Sequence, residues 1–235
     1  MFALICFALK EEAAPFRKIA ASKSGVAILL TGIGRQNAEK SVREFLAGGA
    51  SVPASRSQDL SPDQARLVRT LAPPSLVLTC GFAGGLNPNL KLGEVVFEIG
   101  NRKSEIENLE ERLLAAGAKP SKFFCADRIA TTAAEKKKLR DETGADAVEM
   151  ESAAIHAVCA ERNIPCATVR VISDAASEDL PLDFNALAKP DKNLDYGKLF
   201  LAIAKSPGKI GALVKLQKQT RFAAEQLAEV LVKIL

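Results

Sequence analysis

Short apolar runs rich in Val, Ile, Leu and Phe alternate with longer segments of helical period along nearly the whole chain, and this alternation restricts the fold most. Strands are expected at 2–7, 26–31, 75–80, 94–98, 122–125 and 166–172. Helices are expected at 11–21, 36–47, 61–71, 104–116, 132–142, 149–162, 195–205 and 208–234. Strands this apolar are buried on both faces, so the pattern predicts an α/β protein with a central, largely parallel or mixed sheet flanked by helices. Pro165 ends the helix before the last strand. The segment 48–62 reads as an exposed loop in which Asp59 or Ser61 can cap the next helix. No repeat or linker divides the 235 residues, so a single domain, 1–235, is expected, closed by an amphipathic helix at about 208–234.

Composition removes several functional classes. A net charge of +4, one tyrosine and no tryptophan argue against a nucleic-acid platform. Five cysteines, an odd number without a C-x-x-C pair, read as free thiols of a reducing, cytoplasmic compartment. His156 is the only histidine, too few for a His/Cys zinc site, and no metal or organic cofactor is implied. The opening MFALICFAL is apolar over only nine residues and reads as neither signal peptide nor membrane span.

Ligands of open α/β sheets gather beyond the carboxyl ends of the strands. Here those ends carry Lys10-Glu11-Glu12, Thr31-Gly32-Ile33-Gly34-Arg35, Gly81-Phe82-Ala83-Gly84-Gly85 and Ser173-Asp174. The glycine stretches match a dinucleotide fingerprint only loosely. They read as turns whose backbone N–H groups can approach an anion or a hydroxyl, or simply as tight turns. Glu149 and Glu151 fall in what reads as the first turn of a helix, where the dipole favours negative charge. That accounts for one glutamate more readily than for two around Met150. Arg170 lies inside an apolar strand and calls for an acidic partner. Asp174 ends that strand, as a turn residue or as a functional acid.

Together ALKEE (8–12), TGIGRQNA (31–38), TCGFAGGLNPNLKLGEVV (79–96), AVEMESAAIHAVC (147–159) and VRVISD (169–174) resemble, in this order, the nucleoside phosphorylase and nucleosidase family. LPLDFNALAKPD (180–191) and 206–227 look most like its hopanoid-associated phosphorylase subgroup, which is associated with a nucleoside joined through its 5′ carbon to a hopane lipid. The resemblance implies a three-layer fold and cleavage of a purine nucleoside's N-glycosidic bond through an oxocarbenium-like transition state. It gives Glu151 the ribose hydroxyls, Met150 the sugar face, Glu149 a supporting position and Asp174 purine N7, for which Asp174 must be protonated. Ala83, Gly84, Phe82, Ser173 and Ile129 line the substrate.

The nucleophile stays open. A hydrolase would orient water with Glu12 beside Arg170. A phosphorylase would bind inorganic phosphate as co-substrate through Gly34, Arg35 and the turn from Gly81. Phe82 replaces a serine of the methylthioadenosine nucleosidases, and Ile129 stands where they stack an aromatic on the purine, which implies a more apolar, more open pocket. A methylthioadenosine/S-adenosylhomocysteine nucleosidase and a non-catalytic nucleoside-binding protein remain alternatives. By analogy a homo-oligomer is expected. Residues 198–235 carry seven Lys/Arg and two Glu. This basic helix is either a solvated cover of the core or a contact for an anionic membrane.

Overall fold

The computed structural model describes residues 2–21, 23–47, 73–100, 104–187 and 207–235. The expected helices 61–71 and 195–205 and the loop 48–62 lie outside these residues. Among the described residues eight strands form one mixed sheet: β1 (Ala3–Phe7), β2 (Val26–Leu30), β3 (Leu76–Gly85), β4 (Val95–Ile99), β5 (Lys119–Pro120), β6 (Phe123–Cys125), β7 (Ala147–Glu149) and β8 (Cys166–Asp174). Its main path runs β2-β1-β3-β8-β4-β5, and β7 joins β6 to β3. Strands β2, β1, β3 and β8 are mutually parallel, whereas β4 runs antiparallel to β8. The carboxyl ends of the four parallel strands therefore share one edge.

Helices cover both faces. On one side α1 (Lys10–Ala20), α3 (Ser104–Ala115) and α7 (Ile210–Ile234) pack Phe16, Leu109, Leu113, Leu227 and Leu231 on the sheet. On the other, α2 (Arg35–Leu46) and α5 (Ser152–Glu161) pack Val42, Phe45, Ile155 and Val158. Two short elements complete the site edge, α4 (Ala133–Thr143) and α6 (Phe184–Leu187). Helix α4 has few apolar residues and is fixed at its ends. Thr132 Oγ1 accepts the Glu135 N–H at 3.2 Å, Glu135 Oε2 accepts the Thr131 N–H at 2.9 Å, and Gly144 closes the helix with φ +64°.

The structure corrects two sequence expectations. Gly81–Gly85 is not a turn: it continues β3, paired with β8 on one side and, at Gly84 and Gly85, with β7 on the other. At Gly81 and Gly84 the carboxylates of Glu12 and Asp174 lie against the space a Cβ would take. Glu149 and Glu151 are not in a helical turn either. Glu149 ends β7 and Glu151 is the N-cap of α5. Between Ala83 and Gly84 the register against β8 shifts by one residue: Ala83 pairs with Ile172, and Gly84 pairs with Asp174, leaving Ser173 as the extra residue of a bulge.

Candidate active site

The second half of β3 is the floor on which the predicted residues meet. Glu12, in the first turn of α1, lies over Gly81. Its Oε1 accepts the Phe82 N–H at 2.8 Å and its Oε2 accepts the Leu9 N–H at 2.9 Å. Gly81 has φ +140°, and a Cβ there would stand 2.6 Å from Glu12 Oε1. The carboxylate is buried, and that burial, partly offset by Arg170 and the two N–H donors, pushes its pKa up to about 7.

Arg170 is 1% exposed and stands at the centre of an acidic cluster. Its Nη2 donates to Glu149 Oε2 at 2.7 Å, to Glu151 Oε2 at 3.1 Å and to Thr79 Oγ1 at 3.1 Å. Its Nη1 reaches the Phe82 carbonyl at 3.5 Å. Burial opposes the charge of the guanidinium, but Glu149, Glu151 and Glu12 outweigh it and hold the arginine protonated. The two glutamates around Met150 have separate environments. Glu149 takes the N–H groups of Glu151 and Ser152 at 2.9 and 2.8 Å and the Ser152 hydroxyl at 2.6 Å. It thus caps α5 through the residues that begin the helix. Burial would raise its pKa, but Arg170 and these donors hold it below the usual carboxylate range. Glu151 receives the Gly34 N–H at 2.8 Å on Oε1, and burial together with the charge of Glu149 raises its pKa against the pull of Arg170.

Asp174 lies further along the same strand. Gly84 sits against it, so that a Cβ there would be 3.3 Å from Asp174 Oδ2. Its Oδ1 accepts the Ser173 hydroxyl at 2.7 Å, and Lys136 Nζ of α4 stands 2.5 Å from Oδ2. The Ser173 hydroxyl also reaches the Ala83 carbonyl at 3.4 Å. Beyond Asp174 a cleft runs past Glu178, Leu180 and Pro181 to Ala212 and Leu216 of α7.

Glu12, Glu149, Met150, Glu151, Arg170, Ser173 and Asp174 are all buried at this edge, joined through Gly81, Phe82, Ala83 and Gly84. Phe82 contributes its backbone, because its side chain packs on the core cluster of α1 and α7. Ile129 is half-buried, its N–H and C=O clasped by the Asn185 side chain at 2.9 Å each. Arg35 turns to the Cys125 carbonyl and to Asp127, 3.5 Å away. His156 pairs with Thr168 Oγ1 at 3.0 Å. Among the described residues no group of three His, Cys, Asp or Glu side chains is arranged to hold a metal ion.

Lys136 escaped the sequence reading because KKK, 136–138, looks like a solvated charge run. Yet Leu139 is the one large apolar residue of α4, and Lys136 lies three positions before it, on the same helix face. That spacing could have singled it out.

A sheet with acids and glycines gathered at the carboxyl ends of its strands defines an α/β ligand-binding edge built around one buried arginine. The sequence pattern of the Phosphorylase superfamily matches residues 118–194, which hold Lys136, Glu149, Glu151, Arg170 and Asp174. Over these residues the chain is similar to that superfamily. It is 27% identical over 150 residues to the 5′-methylthioadenosine/S-adenosylhomocysteine nucleosidase of Glaesserella parasuis, covering 51% of this chain and 64% of that protein. It is 27% identical over 143 residues to the aminodeoxyfutalosine nucleosidase of Campylobacter jejuni, covering 46% and 60%. The chain thus spans less than two thirds of these relatives' length. The Neisseria meningitidis methylthioadenosine/S-adenosylhomocysteine nucleosidase, solved with methylthio-immucillin-A, shares the fold with a TM-score of 0.64 at 17% identity, over 99% of this chain and 97% of that one.

Proposed function

We propose that the protein hydrolyses the N-glycosidic bond of a purine nucleoside, a 5′-modified adenosine. The observation that carries this reading is the gathering of Glu12, the Arg170–Glu151 pair and Asp174 along four residues of one strand. Breaking the bond leaves positive charge on the ribose and negative charge on the base. Glu151, buried beside Glu149, offers carboxylate oxygens to ribose hydroxyls and opposes the sugar's charge. Asp174 faces the base. Glu12, with a pKa near 7, is suited to take a proton from water near neutral pH.

Water is favoured over phosphate because the phosphate candidates already have partners. The Gly34 N–H serves Glu151, Arg35 is bound to the Cys125 carbonyl and Asp127, and Glu12 fills the space above Gly81. The named relatives, a methylthioadenosine/S-adenosylhomocysteine nucleosidase and an aminodeoxyfutalosine nucleosidase, support an adenine-bearing substrate. The resemblance of 180–191 and 206–227 to the hopanoid-associated subgroup supports a large apolar 5′ group. Ile210, Val214 and Phe222, exposed on α7 among Lys209, Lys215 and Lys218, support contact with the membrane that would hold such a substrate.

The test is incubation with 5′-substituted adenosines in phosphate-free buffer and in added phosphate, with adenine, ribose and ribose 1-phosphate products quantified. Adenine and ribose product without phosphate are expected. Release only with phosphate overturns hydrolysis, and binding without release overturns catalysis.

A further inference from the structure

Lys136 has no exposed surface and is the only buried residue of α4. An ammonium has three hydrogens, and three oxygens surround this one. Nζ donates to the Ala175 carbonyl at 2.9 Å and to the Glu178 carbonyl at 2.8 Å, and it is ion-paired with Asp174 Oδ2 2.5 Å away. Two of these contacts shape the turn after β8. The third contact is an ion pair with the acid assigned to the base. A purely structural tie to the turn would need only the two carbonyl bonds. The carboxylate of Glu178 does not compete for the ammonium, since it is engaged by the Ala175 N–H and by Lys215 and Gln219 of α7.

We propose that Lys136 is the positioning residue of Asp174 and the source of the proton that Asp174 gives to the departing base. This rests on the base cleavage proposed above. As the bond from ribose C1′ to purine N9 breaks, its electron pair moves into the purine. Asp174 passes a proton to N7, and the proton Asp174 gives comes from Lys136 Nζ across the 2.5 Å contact. The neutral amine left behind keeps its two hydrogens on the Ala175 and Glu178 carbonyls, so the turn is held in either charge state. The attacking water adds as hydroxide to C1′ and loses its other proton to Glu12. Solvent then restores the proton of Lys136 and accepts that of Glu12. The sum is nucleoside plus water giving free base and ribose.

The experiment compares Lys136→Met and Lys136→Arg with wild type on two substrates. One is a 5′-substituted adenosine, and the other is 4-nitrophenyl β-riboside, whose leaving phenolate needs no proton. The ratio of the two kcat/KM values does not depend on the fraction of protein that folds. Lys136→Met should lower kcat on the adenosine about 100-fold with KM within about threefold, as expected for lost acid catalysis, and should leave the riboside rate nearly intact. Lys136→Arg keeps the charge but gives up its proton far less readily, so it should show the same selective loss. In an Asp174→Asn background Lys136→Met should add little further loss. Equal loss on both substrates, or losses that add in the double variant, would make Lys136 a structural residue only and overturn the proposal. If wild type releases no base, the parent reading fails instead.

Discussion

Replacing Gly81 by alanine tests whether Glu12 is positioned as described. The new methyl would stand 2.6 Å from Glu12 Oε1 and 2.8 Å from both Cδ and Oε2, closer than real Cβ contacts come. The backbone adds its own resistance, because φ +140° is a conformation that residues with a Cβ rarely adopt, at a cost of about 1–3 kcal/mol. The carboxylate is the movable partner, but two backbone N–H groups pin it. Withdrawing it removes the acceptor of both the Phe82 and Leu9 N–H groups, each worth about 1.5–3 kcal/mol when the acceptor is charged. With partial recovery by solvent, a net loss of about 3 kcal/mol or more is expected. Urea unfolding should show it, and base release should fall about 100-fold as Glu12 leaves its place. A double-mutant cycle sharpens the case. In a Glu12→Ala background the methyl meets nothing from the carboxylate, and Gly81→Ala should cost only the backbone part. A single variant as stable and active as wild type, or an undiminished cost in the Glu12→Ala background, would refute this placement.

Glu12→Gln should change how stability depends on pH. The folded-state pKa of about 7 exceeds the usual 4.5, so the wild type's stability from this group is full below pH 4.5 and is lost as pH rises toward 7. Glutamine does not titrate, so the variant should gain on wild type across that window by on the order of 3 kcal/mol, read from unfolding curves at several pH values. The wild-type rate should rise with pH to a plateau near that same pKa, and the variant should lack this limb. Arg170→Met leaves Glu149 and Glu151 without their cation in a buried site, and should cost about 3–5 kcal/mol at neutral pH. Because the orphaned carboxylates can be neutralised by protonation, the deficit should shrink as pH falls toward 5; a deficit constant with pH would contradict the pairing. For α7, sedimentation with anionic vesicles at low salt should pull the protein down, and neutral vesicles or high salt should release it. Equal recovery with every vesicle type would remove the membrane from the proposal.

The alternating apolar runs disclosed the α/β layers, because strands such as Ala3–Phe7 and Cys166–Asp174 are buried along their whole length. Arg170 was legible as a residue in need of an acid, since a guanidinium inside an apolar strand has few other solutions, and two carboxylates meet it. Other features were set by tertiary contacts. Five residues with three glycines read as a turn, but neighbours on both sides and the carboxylates of Glu12 and Asp174 hold Gly81–Gly85 extended. Strand β7 is three residues long and borrows its order from β3 and β6, so Glu149 seemed to belong to the helix that follows it. Lys136 was hidden by two neighbouring lysines with exposed side chains. The site's acids were picked out one by one, whereas the cation that meets Asp174 was signalled only by its spacing to Leu139.

The extra residue at Ser173 makes β8 a ruler. Up to Ile172 the strand keeps step with β3, and the extra position at Ser173 then brings the carboxyl group of Asp174 opposite Gly84. Deleting Ser173 would restore regular pairing with the acid still opposite Gly84, but would remove the hydroxyl that donates to Asp174 Oδ1. Tidier backbone geometry at this point would come at the expense of the chemistry, so the irregularity is where selection on function should act against selection for a regular sheet.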